Sequence, residues 1–367
     1  VDVINMSVGE PDFMTPAPIK EAGKKAIDDN FSKYSPVPGY PALRNAISKK
    51  LKAENGLDYA ASEIIVGTGG KQGVCNAIMA LVNPGDEVII PAPYWVSYPQ
   101  MVKLAGGNPV IISAGIEQEF KITADQLEAT ITPKTKMIIL CSPSNPTGSV
   151  YTKAELDELA KVVISHEDVF VLSDEIYEHI NYIGKHASIA ACPNMKERTI
   201  ICNGVSKAYA MTGWRLGWVA APEWIVKGLN KLQGQYTSGT SSVSQMAALA
   251  AYEGDQQCVE DFRKAFQRRR DLIVNLAKDI PGLEVNIPQG AFYLFPKCSS
   301  FFGKSNGKYT INNSTDFAMY LLEEGHVATV GGDDFGSPDC FRMSYATSDN
   351  NIKEALQRIK DTLSKLK

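Results

Sequence analysis

The chain of 367 residues carries 37 Lys and Arg against 41 Asp and Glu, a net charge of −4, and 44% of its residues are hydrophobic. This length and apolar content suffice for two domains or one large α/β body. The mild acidity disfavours nucleic acid as the main partner, because phosphate backbones require a basic face. No apolar run reaches membrane-spanning length and no signal peptide opens the chain, so we expect a cytoplasmic protein without a membrane partner.

Seven cysteines are scattered along the chain, an odd number without a C-x-x-C pair. Zinc sites use closely spaced cysteines, and disulfide frameworks use an even number of cysteines, so this pattern argues against both. We therefore expect reduced, buried thiols and no metal. The seven are Cys75, Cys141, Cys192, Cys202, Cys258, Cys298 and Cys340.

The first two thirds of the chain predict an α/β fold. Residues 1–45 are rich in turns, and two short helices are predicted near 17–29 and 41–54, the second ending at Asn55-Gly56. From 62 to 222 the strands are continuous apolar runs separated by helical patterns, which predicts a mostly parallel sheet covered by helices on both faces. The predicted strands lie at 64–66, 88–90, 110–112, 137–140, 169–172, 199–202 and 218–221.

The C-terminal third begins with one long predicted helix over 255–278. Acids interleave with its basic run, Arg268 to Arg270, which favours a solvated or interdomain helix over a nucleic-acid surface. With the N-terminal strip, this third predicts a smaller α+β domain over 1–14 and 256–367, beside a large domain over 15–255. The remaining predicted elements are strands near 283–285, 291–294 and Arg342, and helices near 315–324 and 350–367.

Several predicted strands end on chemically useful residues, at the edge where parallel α/β sheets bind ligands. The turn from Gly67 to Lys71 suits an anion, although a plain helix start is an equal alternative and no nucleotide motif is matched. Trp95 suits stacking on a flat ring but is also a candidate core aromatic. Asn145 precedes a proline and is equally a turn former. Asp174 is a partly buried acid in need of a positive partner, or a helix N-cap.

Lys207 lies in the stretch Asn203 to Gly217, between two β-prone runs, and small or apolar residues flank it. A lysine in such surroundings loses hydration, which disfavours its charged form and leaves a free amine able to form a Schiff base. The alternative is a lysine that snorkels from a strand end, with Arg215 in a surface ion pair. Together, the anion cradle, the stacking ring, the acid and the amine suit a phosphorylated aromatic aldehyde.

Eight motifs, in order along the chain, carry a resemblance to a known family. The chain resembles the fold type I, aspartate-aminotransferase-like class I/II enzymes that use pyridoxal phosphate, and the match runs from Val1 to Lys367. It is most similar to the branch with a G-G-K-Q motif. The motifs are S-V-G-E-P-D-F (7–13), K-Y-S-P-V-P-G (33–39), G-T-G-G-K-Q (67–72), A-P-Y-W-V-S-Y-P (92–99), S-P-S-N-P-T-G (142–148), S-D-E-I-Y (173–177), S-K-A-Y-A-M-T-G-W-R-L-G (206–217) and F-R-M-S-Y-A-T (341–347).

The resemblance implies roles for residues around the cofactor. Lys207 would bind it covalently and later move the substrate's α-proton, while Asp174 would pair with the pyridine nitrogen and keep it protonated. Asn145 and Tyr177 would hydrogen-bond the phenolic oxygen of the ring, and Trp95 would stack on the ring. The implied phosphate ligands are Gly69, Gly70, Lys71, Ser206 and Arg215, with Tyr34 reaching across from the partner subunit of a homodimer.

The resemblance also implies how an amino acid would bind. Arg342 would bind the α-carboxylate through two hydrogen bonds. From the local pattern alone, Arg342 is instead interpreted as a surface charge on a strand whose residues alternate between buried and exposed. Lys71, with Thr15, would meet a distal carboxylate, which makes aspartate the expected amino donor. The implied substrate-binding residues are Gly9, Thr15, Lys71, Trp95, Asn145 and Arg342.

One position departs from the family pattern. A phosphate-binding serine often stands three residues before the lysine, where this chain has Gly204, so we expect a cradle that is intact but built differently. The expected reaction is ping-pong amino transfer from aspartate to 2-oxoglutarate. Alternatives are an aminotransferase for aromatic amino acids, alanine or a broad range, and a β-lyase of the same fold. A non-enzymatic alternative, the effector domain of a transcription regulator, is disfavoured because no DNA-binding segment precedes the domain.

Overall fold

The computed structural model describes residues 2–367, so that only Val1 of the N-terminal strip lies outside the described part. The helices in this part of the chain are α1 Ala17–Asp28, α2 Pro41–Lys50, α3 Gly70–Leu81, α4 Ser97–Leu104, α5 Ala124–Thr130, α6 Lys153–Ser165, α7 Glu223–Tyr236, α8 Ser242–Glu253, α9 Gln257–Lys278, α10 Ser314–Gly325 and α11 Asp349–Leu363. The strands are β1 Ile4–Asn5, β2 Ile64–Gly67, β3 Glu87–Ala92, β4 Asn108–Ser113, β5 Thr135–Cys141, β6 Phe170–Asp174, β7 Thr199–Gly204, β8 Gly217–Ala220, β9 Tyr293–Leu294, β10 Val327–Ala328, β11 Val330–Gly331 and β12 Phe341–Ser344.

The central element is a seven-stranded sheet in the order β2-β8-β7-β6-β5-β3-β4. Strands β3 to β7 pair in parallel, whereas β8 is antiparallel to both of its neighbours. Every residue of β2, β7 and β8 is buried, as continuous apolar strands require when both faces of a sheet are covered. The predicted mostly parallel sheet is therefore confirmed.

Helices cover both faces of this sheet because successive side chains of a strand point to opposite sides. On one face, Ile90 and Ile139 pack with α3, α4 and α7. On the other face, Ile89, Ile138 and Leu140 pack with α5 and α6. Each aliphatic side chain buried in this way contributes roughly 1.5–3 kcal/mol to the stability of the fold.

A second core lies in the C-terminal third. Helices α9, α10 and α11 pack around the three-stranded sheet β11-β12-β9, with Phe266, Phe317 and Ile352 fully buried among them. The N-terminal strip joins this part of the molecule because β1 pairs in parallel with β10. The domain boundaries after residues 14 and 255 stay a prediction.

Two local expectations have different outcomes. The helix predicted near 41–54 forms as α2, which ends at Lys50, followed by a π-helical turn, Leu51–Asn55. This turn ends at Gly56, whose φ is 70°. Its end is therefore where the sequence predicts it, because a glycine accepts the left-handed conformation without strain. The predicted strand near 283–285 is wrong, since Glu284 forms only an isolated bridge with Lys297.

All seven cysteines are free, and four of them are buried. In the described range, 2–367, no helix combines the length and the apolar character that crossing a bilayer demands.

Three backbone segments meet where β7 and β8 lie beside the start of α3. Gly204 pairs with Gly217, and a Cβ on Gly204 would lie only 2.7 Å from the Cα of Gly217. A Cβ on Gly217 would in turn overlap the backbone nitrogen of Gly70. The close approach of these backbones leaves no room for a side chain at position 204, where the family pattern often has serine.

This crowding predicts a stability difference between two glycine substitutions. Gly204→Ala should lower the free energy of unfolding by roughly 1–3 kcal/mol, because the new methyl group can move only by displacing backbone. Gly228→Ala, within α7 where a Cβ meets no atom within 4 Å, should be neutral or stabilising by up to about 1 kcal/mol. Urea unfolding followed by circular dichroism measures both variants. Equal stabilities would show that the backbone at Gly204 adapts freely.

Candidate active site

A cavity of about 690 Å³ opens where the central parallel strands end. The last residues of β5 and β6, Cys141 and Asp174, line it from the sheet, and Arg342 of β12 lines it from the C-terminal core. Both the size and the position are those of a small-molecule site in an α/β protein. Eleven of the fourteen residues that the sequence singles out line this cavity: Gly9, Gly70, Lys71, Trp95, Asn145, Asp174, Tyr177, Ser206, Lys207, Arg215 and Arg342.

Lys207 lies in the loop between β7 and β8, and its Nζ donates a hydrogen bond of 2.6 Å to the Gly9 carbonyl. Burial of the amine lowers its pKa to about 8, although Glu10 and Asp174 oppose the shift. Arg215 and Arg342 lower the pKa further. Roughly a tenth of this lysine is therefore uncharged at pH 7, far more than for an ordinary lysine, and the uncharged amine is the nucleophilic form.

Asp174 presents a buried carboxylate at the end of β6. Its Oδ2 accepts a 2.6 Å hydrogen bond from the Tyr98 hydroxyl, and its Oδ1 accepts one of 3.3 Å from the Ile176 amide. Burial raises the pKa of the carboxyl, while the hydrogen bond from Tyr98 lowers it. These opposing effects leave an acid whose charge depends on its hydrogen-bond donors and on any cation in the cavity.

Arg342 is a buried residue of β12 whose guanidinium lies between two aromatic rings, 4.6 Å from the Tyr293 centroid and 4.9 Å from that of Phe335. Its Nη1 donates to Asn145 Oδ1 at 2.8 Å and its Nη2 to the Ser7 carbonyl at 2.7 Å. Its Nε is buried without a hydrogen-bond partner. A fork held this rigidly is ready for an anion.

The predicted anion cradle forms at the start of α3. Arg215 has a left-handed backbone, with φ 53°, and donates from Nη1 to the Thr212 carbonyl. A Cβ on Gly69, whose φ is +81°, would lie 2.7 Å from the guanidinium, so glycine lets the arginine approach the helix start. The positive end of α3, the guanidinium and the buried Ser206 together suit a phosphate group.

Lys71, the second residue of α3, lies beside Trp95 in the same cavity, with its Nζ 5.1 Å from the ring centroid. Within residues 2–367, ion-pair partners are absent for Lys71, Lys207, Arg215 and Arg342. Because none of these four side chains is held in a salt bridge by any described residue, each is available to an anion that enters the cavity, although Glu10, Asp174 and Asp334 also line it.

Three of the predicted site residues do not line the cavity. Gly69 lies just behind it, against Arg215. The Thr15 hydroxyl donates to the Ala210 carbonyl at 2.7 Å and accepts from Trp214 Nε1 at 3.2 Å, so it joins the N-terminal strip to the lysine loop. Tyr34 is 98% exposed. Its predicted contact would come only from a partner subunit.

The sequence interpretation missed two tyrosines of the site. Tyr98 stands in the quoted A-P-Y-W-V-S-Y-P motif, two residues after Val96, but nothing in the pattern distinguishes it from a core aromatic. Tyr293 shares a 2.8 Å hydrogen bond between hydroxyls with Tyr177 and also stacks on Arg342. Their roles follow from contacts between distant segments, which spacing along the chain does not reveal.

A parallel α/β sheet that presents a buried amine and a buried acid to a cationic cavity defines the class of fold type I enzymes that use pyridoxal phosphate. The chain belongs to one family of that class, since the family "Aminotransferase class I and II" matches residues 1–359. It is therefore a pyridoxal-phosphate-dependent aminotransferase, and its substrates are amino acids and 2-oxo acids.

Individual relatives agree with this assignment. The aspartate/prephenate aminotransferase of Cereibacter sphaeroides is 50% identical over 98% of this chain and 90% of its own length. The bifunctional aspartate aminotransferase and glutamate/aspartate-prephenate aminotransferase of Petunia hybrida is 48% identical over 100% of this chain and 78% of its own. The crystal structure of the aspartate aminotransferase from Rhizobium meliloti matches with a TM-score of 0.97 and 46% identity, covering 100% of this chain and 92% of that one.

The depressed pKa of Lys207 predicts how cofactor capture depends on pH. Because burial lowers that pKa to about 8, the fraction of free amine rises as the pH increases through 8, whereas an ordinary lysine requires a pH near 10. The rate at which the apoprotein captures pyridoxal phosphate, followed by visible absorbance, should therefore rise with a midpoint near pH 8. A Lys207→Arg variant, which should develop no such absorbance, shows that the signal comes from this residue. A midpoint near pH 10 would contradict a desolvated amine.

Proposed function

We propose that the protein transfers the amino group of aspartate to 2-oxoglutarate by a ping-pong mechanism. The observation that carries this proposal is the pair of cations that reach one cavity from different elements, Arg342 from β12 and Lys71 from α3. Aspartate, glutamate and their 2-oxo acids each carry two carboxylates, and two fixed cations select such molecules over singly charged ones. The relatives named as aspartate aminotransferases support the same substrate.

The residues of the cavity fit pyridoxal phosphate. Arg215, Ser206 and the first amides of α3 would hold the phosphate. Asp174 would face the ring nitrogen, and Trp95 would cover the ring. When bound, the cofactor supplies an aldehyde that captures amines and a ring that withdraws electrons from the substrate's α-carbon.

The α-carboxylate of the amino acid would bind to the Arg342 guanidinium, whose planar fork and aromatic neighbours fix its orientation. Asn145 already bonds Nη1 of this arginine and would stay beside both carboxylate and ring. The distal carboxylate would meet Nζ of Lys71. The backbone of Gly9 would contact the substrate beside Arg342.

Proton transfer would belong to Lys207. Its Nζ, when not bound to the cofactor, would be a free amine that could accept the proton from the substrate's α-carbon. The pKa near 8 suits this task, since a base works best when its pKa is close to the working pH. The hydroxyl of Tyr177, now bonded to Tyr293, would turn to the phenolic oxygen of the ring. Both half-reactions would use one cavity, which supports the proposal of ping-pong kinetics.

A homodimer is part of the proposal. Met14 and Tyr34 are 81% and 98% exposed, and both are large side chains that water solvates poorly. A second copy of the chain would cover them and would bring its Tyr34 to the phosphate of the neighbouring active site.

Prephenate is a second candidate for the amino acceptor. It is a 2-oxo acid with a second carboxylate on its ring, so the same pair of cations, Arg342 and Lys71, suits it. The names of the two relatives, at 48% and 50% identity, favour this substrate. Transamination of prephenate by the aminated holoenzyme, followed by chromatography of the products, tests this candidate.

The spectrum of the holoenzyme tests the main proposal. Its visible cofactor band should fade when aspartate is added, with stoichiometric release of oxaloacetate, and should return with 2-oxoglutarate. A Lys207→Ala variant should hold the cofactor weakly and give no turnover, because both the covalent bond and the base are lost. Sustained transamination by this variant would refute the assignment of Lys207. A holoenzyme that is inert toward aspartate but active with a neutral donor would refute the choice of substrate.

Lys71→Ala should reduce kcat/KM for aspartate by roughly 10- to 100-fold, the usual value of one charged hydrogen bond, and should reduce kcat/KM for alanine far less. Lys103→Ala, at an exposed position of α4, is the matched control and should change neither. The dissociation constant of pyridoxal phosphate, measured for each variant, separates a loss at the phosphate from a loss at the distal carboxylate. Equal losses for both donors would overturn the role of Lys71 in specificity.

A further inference from the structure

We propose that Tyr98 is a positioning residue for Asp174: its hydroxyl keeps the carboxylate ionised and oriented so that the bound cofactor retains a proton on its ring nitrogen. This inference rests on the proposed pairing of Asp174 with that nitrogen.

The first observation is the contact itself. Tyr98 Oη lies 2.6 Å from Asp174 Oδ2, within the short range of hydrogen bonds from a hydroxyl to a charged carboxylate. Tyr98 is 1% exposed and Asp174 is 7% exposed, so little of either side chain is accessible to solvent. Among the described residues, this hydroxyl is the one side-chain donor to the carboxylate, whose other bond comes from the Ile176 amide.

The second observation is that the phenol keeps its proton and can therefore donate a hydrogen bond to the carboxylate. Burial and the neighbouring Asp174 raise the pKa of Tyr98 well above its usual value, so its proton stays on the oxygen. A carboxylate has about four acceptor positions, and the two hydrogen bonds leave positions free toward the cavity. A protonated ring nitrogen fits there as the third donor.

The third observation is the rigid support of Tyr98. It lies in the first turn of α4, and its amide donates to the Trp95 carbonyl at 3.0 Å. The Trp95 ring meets the Tyr98 ring edge to face, with centroids 5.3 Å apart. The turn from Trp95 to Tyr98 therefore fixes both the predicted ring-stacking side chain and the donor to the acid.

The chemical need for such a donor follows from burial. A carboxyl in this position tends to keep its own proton, because an apolar environment disfavours its charge. A neutral Asp174 would not hold a proton on the ring nitrogen, and the ring would then withdraw electrons less strongly. The hydrogen bond from Tyr98 opposes this tendency before any cofactor binds.

A purely structural role makes a different prediction. Tyr98 belongs to the apolar core between the sheet and α3, and a hydroxyl with a purely structural role would serve only the packing of that core. In that case Tyr98→Phe would lower stability and leave the electronic state of the bound cofactor unchanged.

The test uses the holoenzyme of Tyr98→Phe and a matched control, Tyr320→Phe. Tyr320 is a fully buried tyrosine whose hydroxyl donates to the Thr362 carbonyl at 3.0 Å, within the C-terminal core. We expect Tyr98→Phe to move the pH midpoint of the cofactor's visible band upward by roughly one pH unit, because a less positive ring no longer favours loss of a nearby proton. It should also lower kcat with little change in KM. Tyr320→Phe should leave the midpoint where it is, whatever it does to the Tm.

A double-mutant cycle tests whether the effect passes through the acid. In an Asp174→Asn background, Tyr98→Phe should change neither the midpoint nor the dissociation constant of pyridoxal phosphate further. Equal effects of Tyr98→Phe in both backgrounds, or a midpoint shift no larger than that of Tyr320→Phe, would overturn the proposal. These readings require no amino substrate, so they stand apart from a failure of the aspartate assignment.

Discussion

The active site depends on one electrostatic constraint: several basic side chains share a partly closed cavity, and within the described part of the chain none of them forms a salt bridge. Arg215 and Arg342 lower the proton affinity of Lys207 in addition to the effect of burial, while Asp174 and Glu10 limit the shift. A lysine on the surface of the same fold would stay charged and inert toward carbonyls. The basic side chains that suit the cavity to phosphate and carboxylate groups therefore also lower the pKa of Lys207, as its proposed role as a nucleophile requires.

The sheet places the acid and the lysine by its register. Asp174 ends β6 and pairs with Cys141 of β5 on one side and Cys202 of β7 on the other. Neighbouring strands lie roughly 4.8 Å apart, so Asp174 at the end of β6 and Lys207 in the loop after β7 line the same cavity. The antiparallel β8 then returns the chain into the sheet, and glycine at its first position lets the start of α3 close the cradle.

The N-terminal strip joins the two cores at the catalytic groups. The Ser7 carbonyl accepts a hydrogen bond from Arg342, and the Gly9 carbonyl accepts one from Lys207. Further along, Asp12 forms a bidentate ion pair with the buried Arg269 of α9, at 2.7 and 2.9 Å. The strip therefore links α9 to Lys207 and Arg342 through hydrogen bonds. A shift of the C-terminal core would change the orientation of Arg342, to which the α-carboxylate is proposed to bind.

The amino-acid sequence by itself determined the fold class, since continuous apolar strands require cover on both faces. It also determined the cofactor and predicted Lys207 as the reactive lysine, since the motifs resemble a known family. It did not reveal the role of Tyr98 or Tyr293, and it included Thr15 in the substrate site although the structure turns its hydroxyl to Ala210. Local sequence patterns predict burial and turns, because both depend on residues that are close together in the sequence. The cavity, the unpaired arginines and the hydrogen bond between Tyr98 and Asp174 join segments tens to hundreds of residues apart, so only tertiary packing decided them.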